Sequence, residues 1–199
     1  IDKVIVCIGD GMSFNEVGLA RQAGVGLKKK LWMERLPVTG IVRTFSGNNA
    51  VTDSAAAGTA LACGIKTSNG TIGMNKDGVA YHSILEALAL KGWRTGLVAT
   101  STISHATPAS FGSHVASRGS EADIAIQLLE NRIGVMFGGG RKHWLPEGLN
   151  GGARKDKQNL IERARTHGYE VAYSKEQMEQ LTEGPVLGLF ADDGLTTLK

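Results

Sequence analysis

The chain has 199 residues, 42% of them hydrophobic and 21% charged, with a formal net charge of +3. That length builds one domain with a sizeable core, or part of a larger one. So small a charge excludes a strong nucleic-acid or membrane-surface field, and no apolar run is long enough to cross a bilayer. Lys3 to Gly9 is continuously apolar after its first residue, the pattern of a strand buried on both faces. Ser13 to Ala23 reads as a helix and Val38 to Thr44 as a second strand. Ser54 to Cys63 is a helix made almost entirely of small residues, with Gly64 placed to end it. Lys76-Asp77-Gly78 marks a turn inside a small hairpin from Thr71 to Tyr81.

Further along, helices are expected over Ser83 to Leu90, Glu121 to Glu130 and Gln158 to His167. Strands are expected over Thr95 to Ala99, Ile133 to Phe137, Glu170 to Tyr173 and Val186 to Phe190. Arg141 to Lys157 reads as a long polar loop. Strands that alternate with helices predict an α/β fold whose central sheet is mainly parallel and sandwiched by helices. No composition shift divides the chain, so residues 1–199 read as one α/β domain or the N-terminal part of one. The chain opens directly on a strand-like segment with no signal peptide, as a mature secreted protein also would. After Val186 to Phe190 no closing element follows, and the chain reads as continuing beyond Lys199. Cys7 and Cys63 read as buried thiols with no metal-type spacing. Twenty-seven glycines, about twice the usual share, predict many tight turns.

Four places carry residues suited to chemistry. Gly9-Asp10-Gly11-Met12 follows the first predicted strand, where parallel sheets place ligands; the plain alternative is a turn in which Asp10 caps. Val51-Thr52-Asp53-Ser54-Ala55-Ala56 sets a serine beside an acid at a helix start. There the free backbone N–H groups and the positive helix end favour an alkoxide or a phosphate. An isolated Asp-Ser pair at such a place is otherwise an ordinary N-cap. Ser104-His105-Ala106-Thr107-Pro108-Ala109 offers an imidazole and a hydroxyl two residues apart, on one side of an extended segment. Thr107-Pro108 also reads as an N-cap followed by proline at the first helical position. Arg118, beside Gly119, has the fork that grips a phosphate at two points, or is a solvated surface arginine. An acid, a serine, a His/Thr pair and an arginine form the inventory of metal-assisted phosphoryl transfer.

Ile8-Gly9-Asp10-Gly11-Met12, Val51-Thr52-Asp53-Ser54-Ala55-Ala56, His105-Ala106-Thr107-Pro108-Ala109, His114-Val115-Ala116-Ser117-Arg118 and Phe137-Gly138-Gly139-Gly140-Arg141-Lys142 resemble, in order, signature segments of the alkaline phosphatase family. The resemblance covers Lys3 to about Phe190. It implies hydrolysis of phosphate monoesters through a phosphoserine on Ser54, with Arg118 clamping two phosphate oxygens. It implies two zinc ions and one magnesium ion in the complete enzyme. Asp10 would bridge a zinc and the magnesium, Ser54 would face a zinc, and Thr107 and His105 would belong to the magnesium site. His105 falls where family members carry Asp or His, and an imidazole there would weaken the preference for magnesium. The family's remaining metal ligands, Asp and His residues and a Glu, have no match in this chain; His143, His167 and Asp192-Asp193 do not fit them. The resemblance further implies a homodimer and a periplasmic or secreted location. Two other readings stand beside it. One is a related hydrolase such as a sulfatase or phosphodiesterase. The other is an inactive fragment or phosphate-binding module built on Arg118 and the helix end at Ser54.

Overall fold

The computed structural model describes residues 2–196. The chain divides into two compact units, Ile1–Thr44 and Phe45–Lys199. In the first, helix α1 (Phe14–Gly24) starts at a capping box: Ser13 receives the Asn15 N–H, and the Glu16 carboxylate reaches back to the Ser13 N–H at 2.8 Å. Such a box satisfies helix-end donors that would otherwise be unpaired. Arg21 on α1 pairs with Glu34, which also accepts the Leu31 N–H at 2.7 Å and fixes the 3-10 turn Met33–Arg35. The two strands expected in this unit are absent. Residues 3–9 and 38–44 have no strand hydrogen bonding among the described residues, and Val4, Ile5, Val6, Val38 and Ile41 are exposed. A strand is a ladder with a neighbour, and an apolar run predicts that it suits a covered position without supplying the neighbour. Cys7 lies on the same segment and is exposed, not buried.

The second unit carries the sheet. Strands β1 (Gly96–Thr102), β2 (Val135–Gly139), β3 (Glu170–Ala172) and β4 (Val186–Leu189) run parallel throughout, in the order β1-β2-β4-β3. The helices that join and flank them are α2 (Ser54–Cys63), α3 (Ile84–Ala89), α4 (Ala106–Ala109), α5 (Glu121–Glu130), α6 (Leu160–Thr166) and α7 (Lys175–Glu179). Helix α5 buries Ile124, Ala125, Leu128 and Leu129, one stripe at helical spacing. These pack with Ile133, Met136, Leu160, Ile161, Leu187 and Leu189 into one core. The predicted α/β architecture with a parallel sheet is therefore the observed one. No helix among the described residues is long and apolar enough to cross a membrane.

Two local expectations need correction. The segment 141–157 is not a plain polar loop. It opens with a 3-10 turn, Arg141–His143, and Pro146 bridges to Arg154. The Arg154 side chain is fully buried: its guanidinium donates to the carbonyls of Ala122 (2.7 Å) and His143 (2.9 Å) and pairs with Asp156. A buried cation is tolerable only when so partnered. The second correction concerns α4, which begins two residues earlier than expected. His105 is its N-cap (φ −63°, ψ 156°), so Thr107 and Pro108 both lie inside the first turn. Proline fits there because the first-turn N–H groups have no helical partner. His105 and Thr107 accordingly sit on a helix start and not on one extended segment.

Candidate active site

Helix α2 spans the predicted Ser54–Cys63, with Ser54 as its first residue and Asp53 as its N-cap. Gly64, in the left-handed conformation (φ 69°), closes it. Its small side chains let it lie against α4. A Cβ added at Gly58 would stand 2.6 Å from the Ser110 hydroxyl oxygen and 3.7 Å from the Ala106 carbonyl oxygen. The first of these is nearer than any real Cβ contact. Thr59, wholly buried, accepts the Gly73 N–H at 2.9 Å and so ties α2 to the 71–81 hairpin. The middle of α2 is thus held by α4 and by the hairpin, about one turn beyond Ser54.

Asp53 does more than cap. One carboxylate oxygen accepts the Ala56 N–H at 3.0 Å; the other accepts the Gly70 N–H at 2.9 Å and the Arg118 Nη1 at 3.1 Å. Its own N–H donates to Asn69 Oδ1 at 3.1 Å, and the Asn69 amide donates to the Val51 carbonyl at 3.0 Å. Burial acts to raise the Asp53 pKa, but the Ala56 N–H, the Arg118 guanidinium and the Gly70 N–H outweigh it and hold the carboxyl below its usual value. The second arm of Arg118, Nη2, lies 3.0 Å from His105 Nε2. A guanidinium can only donate, so Nε2 accepts and the ring hydrogen sits on Nδ1. Further N–H groups of the five-donor fork remain to meet an anion. The structure therefore links His105 to Arg118 and Arg118 to Asp53, the neighbour of Ser54, with Thr107 two residues beyond His105 in α4.

Asp10 belongs to the first unit, on the exposed turn Gly9-Asp10-Gly11 closed by the Met12 N–H to the Gly9 carbonyl at 3.1 Å. Two acidic residues gain partners that spacing alone does not reveal. Asp53 is legible only as a cap, because Arg118 lies 65 positions away. Glu121, at the start of α5, accepts the Thr102 hydroxyl at 2.6 Å and the Ser104 hydroxyl at 2.7 Å, with His143 Nε2 at 3.4 Å. Its hint was the hydroxyl-rich run after β1. Among the described residues no three or more His, Cys, Asp or Glu side chains group closely enough to hold a metal ion. Two hydroxyls and an imidazole engaged by Arg118 are not the donor set of a zinc or magnesium site. The described residues do not fit such an ion on their own.

The alkaline phosphatase family model matches residues 1–198. The chain is 38% identical to alkaline phosphatase 4 of Bacillus subtilis, over 98% of this chain and 43% of that protein. It spans less than half the length of the curated relatives it matches, among them the Escherichia coli alkaline phosphatase, 33% identical over 97% of this chain and 47% of its own length. The crystal structure of the Thermus thermophilus alkaline phosphatase superposes with a TM-score of 0.82 at 34% identity, covering 94% of this chain and 39% of that one. A histidine-to-aspartate variant of TAB5 alkaline phosphatase, solved with Mg bound in its M3 site, superposes with a TM-score of 0.76 at 32% identity, covering 90% and 50%.

Proposed function

Because this chain belongs to the alkaline phosphatase family, we propose that the protein carrying it hydrolyses phosphate monoesters through a phosphoserine on Ser54. One observation carries the reading: the serine that opens α2 adjoins an aspartate that holds a guanidinium beside it. In the proposed first step, Ser54 Oγ bonds to phosphorus and gives up its proton, while the ester P–O bond breaks and its oxygen leaves with the electron pair and takes up a proton as the alcohol. In the second, a water oxygen bonds to phosphorus and loses a proton, the P–Oγ bond breaks, and Ser54 regains a proton as inorganic phosphate leaves. Arg118 grips two phosphate oxygens with the N–H groups that Asp53 and His105 do not use, and its charge meets the charge that builds on the equatorial oxygens. Asp53 orients that fork. The N-terminus of α2 adds its positive dipole end.

Dependence on zinc and magnesium belongs to the same reading, with Ser54, His105 and Thr107 as candidate ligands in the second unit and Asp10 in the first. Phosphate monoesters in general are the substrate class, and a homodimer in the periplasm or outside the cell completes the proposal. The test is the intact mass of the protein after incubation with inorganic phosphate and an acid quench. A fraction heavier by one phosphoryl group, absent from Ser54→Ala, is expected. Phosphate binding without any adduct would instead make the chain a phosphate-binding module.

A further inference from the structure

We propose that His114 is a positioning residue for Arg118: held as an imidazolium between the Gly73 carbonyl and the Glu86 carboxylate, it fixes the segment that delivers the guanidinium to Asp53. The inference rests on the reading of Arg118 as the phosphate ligand. Its geometry comes from acceptors. His114 Nδ1 lies 2.8 Å from the Gly73 carbonyl oxygen, and Nε2 lies 2.9 Å from Glu86 Oε1. A carbonyl can only accept, so Nδ1 carries a hydrogen. Glu86 already accepts the Asn131 amide at 3.1 Å and the Ser83 N–H at 2.7 Å, as an ionised carboxylate does. A neutral ring has one hydrogen and would leave one of these two acceptors facing a lone pair. The pair is mostly covered, with side-chain exposures of 21% for His114 and 10% for Glu86. Burial favours the neutral acid in Glu86, yet His114 and the Ser83 N–H hold it below its usual value, while the bond to Glu86 raises His114 above its own.

The other groups facing this pair are few. His82 Nδ1 stands 4.0 Å from Glu86 Oε2 and is exposed. Cys63, at the end of α2, senses Glu86 and is pushed up to about 11, chiefly by burial. Helix α5 contributes neutral amides: Gln127 accepts the His114 N–H at 2.7 Å and donates to its carbonyl at 3.2 Å, and Asn131 also reaches the Gly112 carbonyl at 2.9 Å.

From the imidazolium a short ladder leads to the site. Val115 exchanges both backbone hydrogen bonds with Ile72, at 2.9 and 3.0 Å. The Arg118 N–H donates to the Gly70 carbonyl at 2.7 Å, and the Gly70 N–H donates in turn to Asp53. His114 therefore locks the end of the ladder opposite Arg118.

The test uses Glu86→Gln. Glutamine still serves the capping box of α3 but removes the charge that keeps His114 protonated. Ring ¹⁵N spectra of the purified protein should show both His114 nitrogens protonated at pH 7, and E86Q should lower the midpoint of that titration by more than about one pH unit. Above the new midpoint, amide hydrogen exchange at Val115 and Arg118 should quicken by roughly tenfold. The Kd for inorganic phosphate should rise in the same pH window, and the ratio of variant to wild type removes phosphate's own titration. Below the midpoint the two proteins should agree. A ring with one unprotonated nitrogen at pH 7 overturns the inference, as does an E86Q protein whose exchange and phosphate affinity match wild type at every pH. Expected ring and exchange behaviour, with no phosphate bound by either protein, would overturn the phosphatase reading and leave the positioning of Arg118 standing.

Discussion

Asp53→Asn isolates one side of the Asp53–Arg118 pair. Asparagine is as good an N-cap as aspartate, so the bond from the Ala56 N–H survives. Its NH2 group, however, takes the place of the oxygen that receives the Gly70 N–H and the Arg118 Nη1. Two donors then face a donor. A hydrogen bond to a charged group contributes about 1.5–3 kcal/mol. With side-chain exposures of 24% for Asp53 and 32% for Arg118, solvent cuts the ion pair to about 1 kcal/mol. The Gly70 N–H, left without an acceptor, adds about 1 kcal/mol. Asp53→Asn should therefore cost about 2 kcal/mol, and Asp53→Ala about 1 kcal/mol more through loss of the cap. The assay is urea unfolding at several pH values. Because the folded Asp53 pKa is lowered, its contribution is present above the unfolded value and lost as pH falls through the folded one. The gap between wild type and Asp53→Asn should thus be full at pH 7 and shrink below about pH 5. An unchanged gap at low pH, or no gap at pH 7, would refute the argument.

Arg118→Ala should raise the Kd for inorganic phosphate by roughly 10- to 100-fold through loss of a two-point charged grip, read by calorimetry. Exhaustive dialysis against a chelator should abolish the proposed activity, and zinc with magnesium should restore it; full activity after verified metal removal would refute metal dependence. Leu128→Ala, at a fully buried α5 position, should destabilise by about 2–5 kcal/mol in urea unfolding. Cys63, with its thiol pushed up to about 11, should alkylate at pH 8 roughly 100-fold more slowly than an ordinary thiol, because the thiolate is the reactive form.

What could be read from the sequence was what local chemistry decides. Helix α2 and helix α5 have their expected bounds because a cap, a small or periodic interior and a terminator all lie within a dozen residues. Strands β1 to β4 appear where apolar runs sit between turns, with ends displaced by up to three residues, since ladder ends depend on the neighbouring strand. Residues 3–9 and 38–44 carry the same apolar signal without such a ladder among the described residues, and the signal cannot report the difference. Thr107-Pro108 looked like a helix start, but His105 takes the cap because proline is tolerated anywhere in the first turn. Ser54, His105 and Arg118 stand out in the sequence as candidates, by type and place. That Asp53 would join two of them, and that Glu86 would reach His114 across 28 positions, is information held in the tertiary fold.

The buried Arg154 gives the 141–157 segment a property opposite to its composition. Its acceptors come from three stretches of chain: the Ala122 carbonyl in α5, the His143 carbonyl, and the neighbouring Asp156. Drawing Arg154 out would break these contacts together and expose nothing that replaces them, so its position opens cooperatively. The neighbouring Lys155 and Lys157 are exposed and carry no such tether. A trypsin-like protease would therefore cut beside them first, and a nick after Arg154 would report that this anchor had let go.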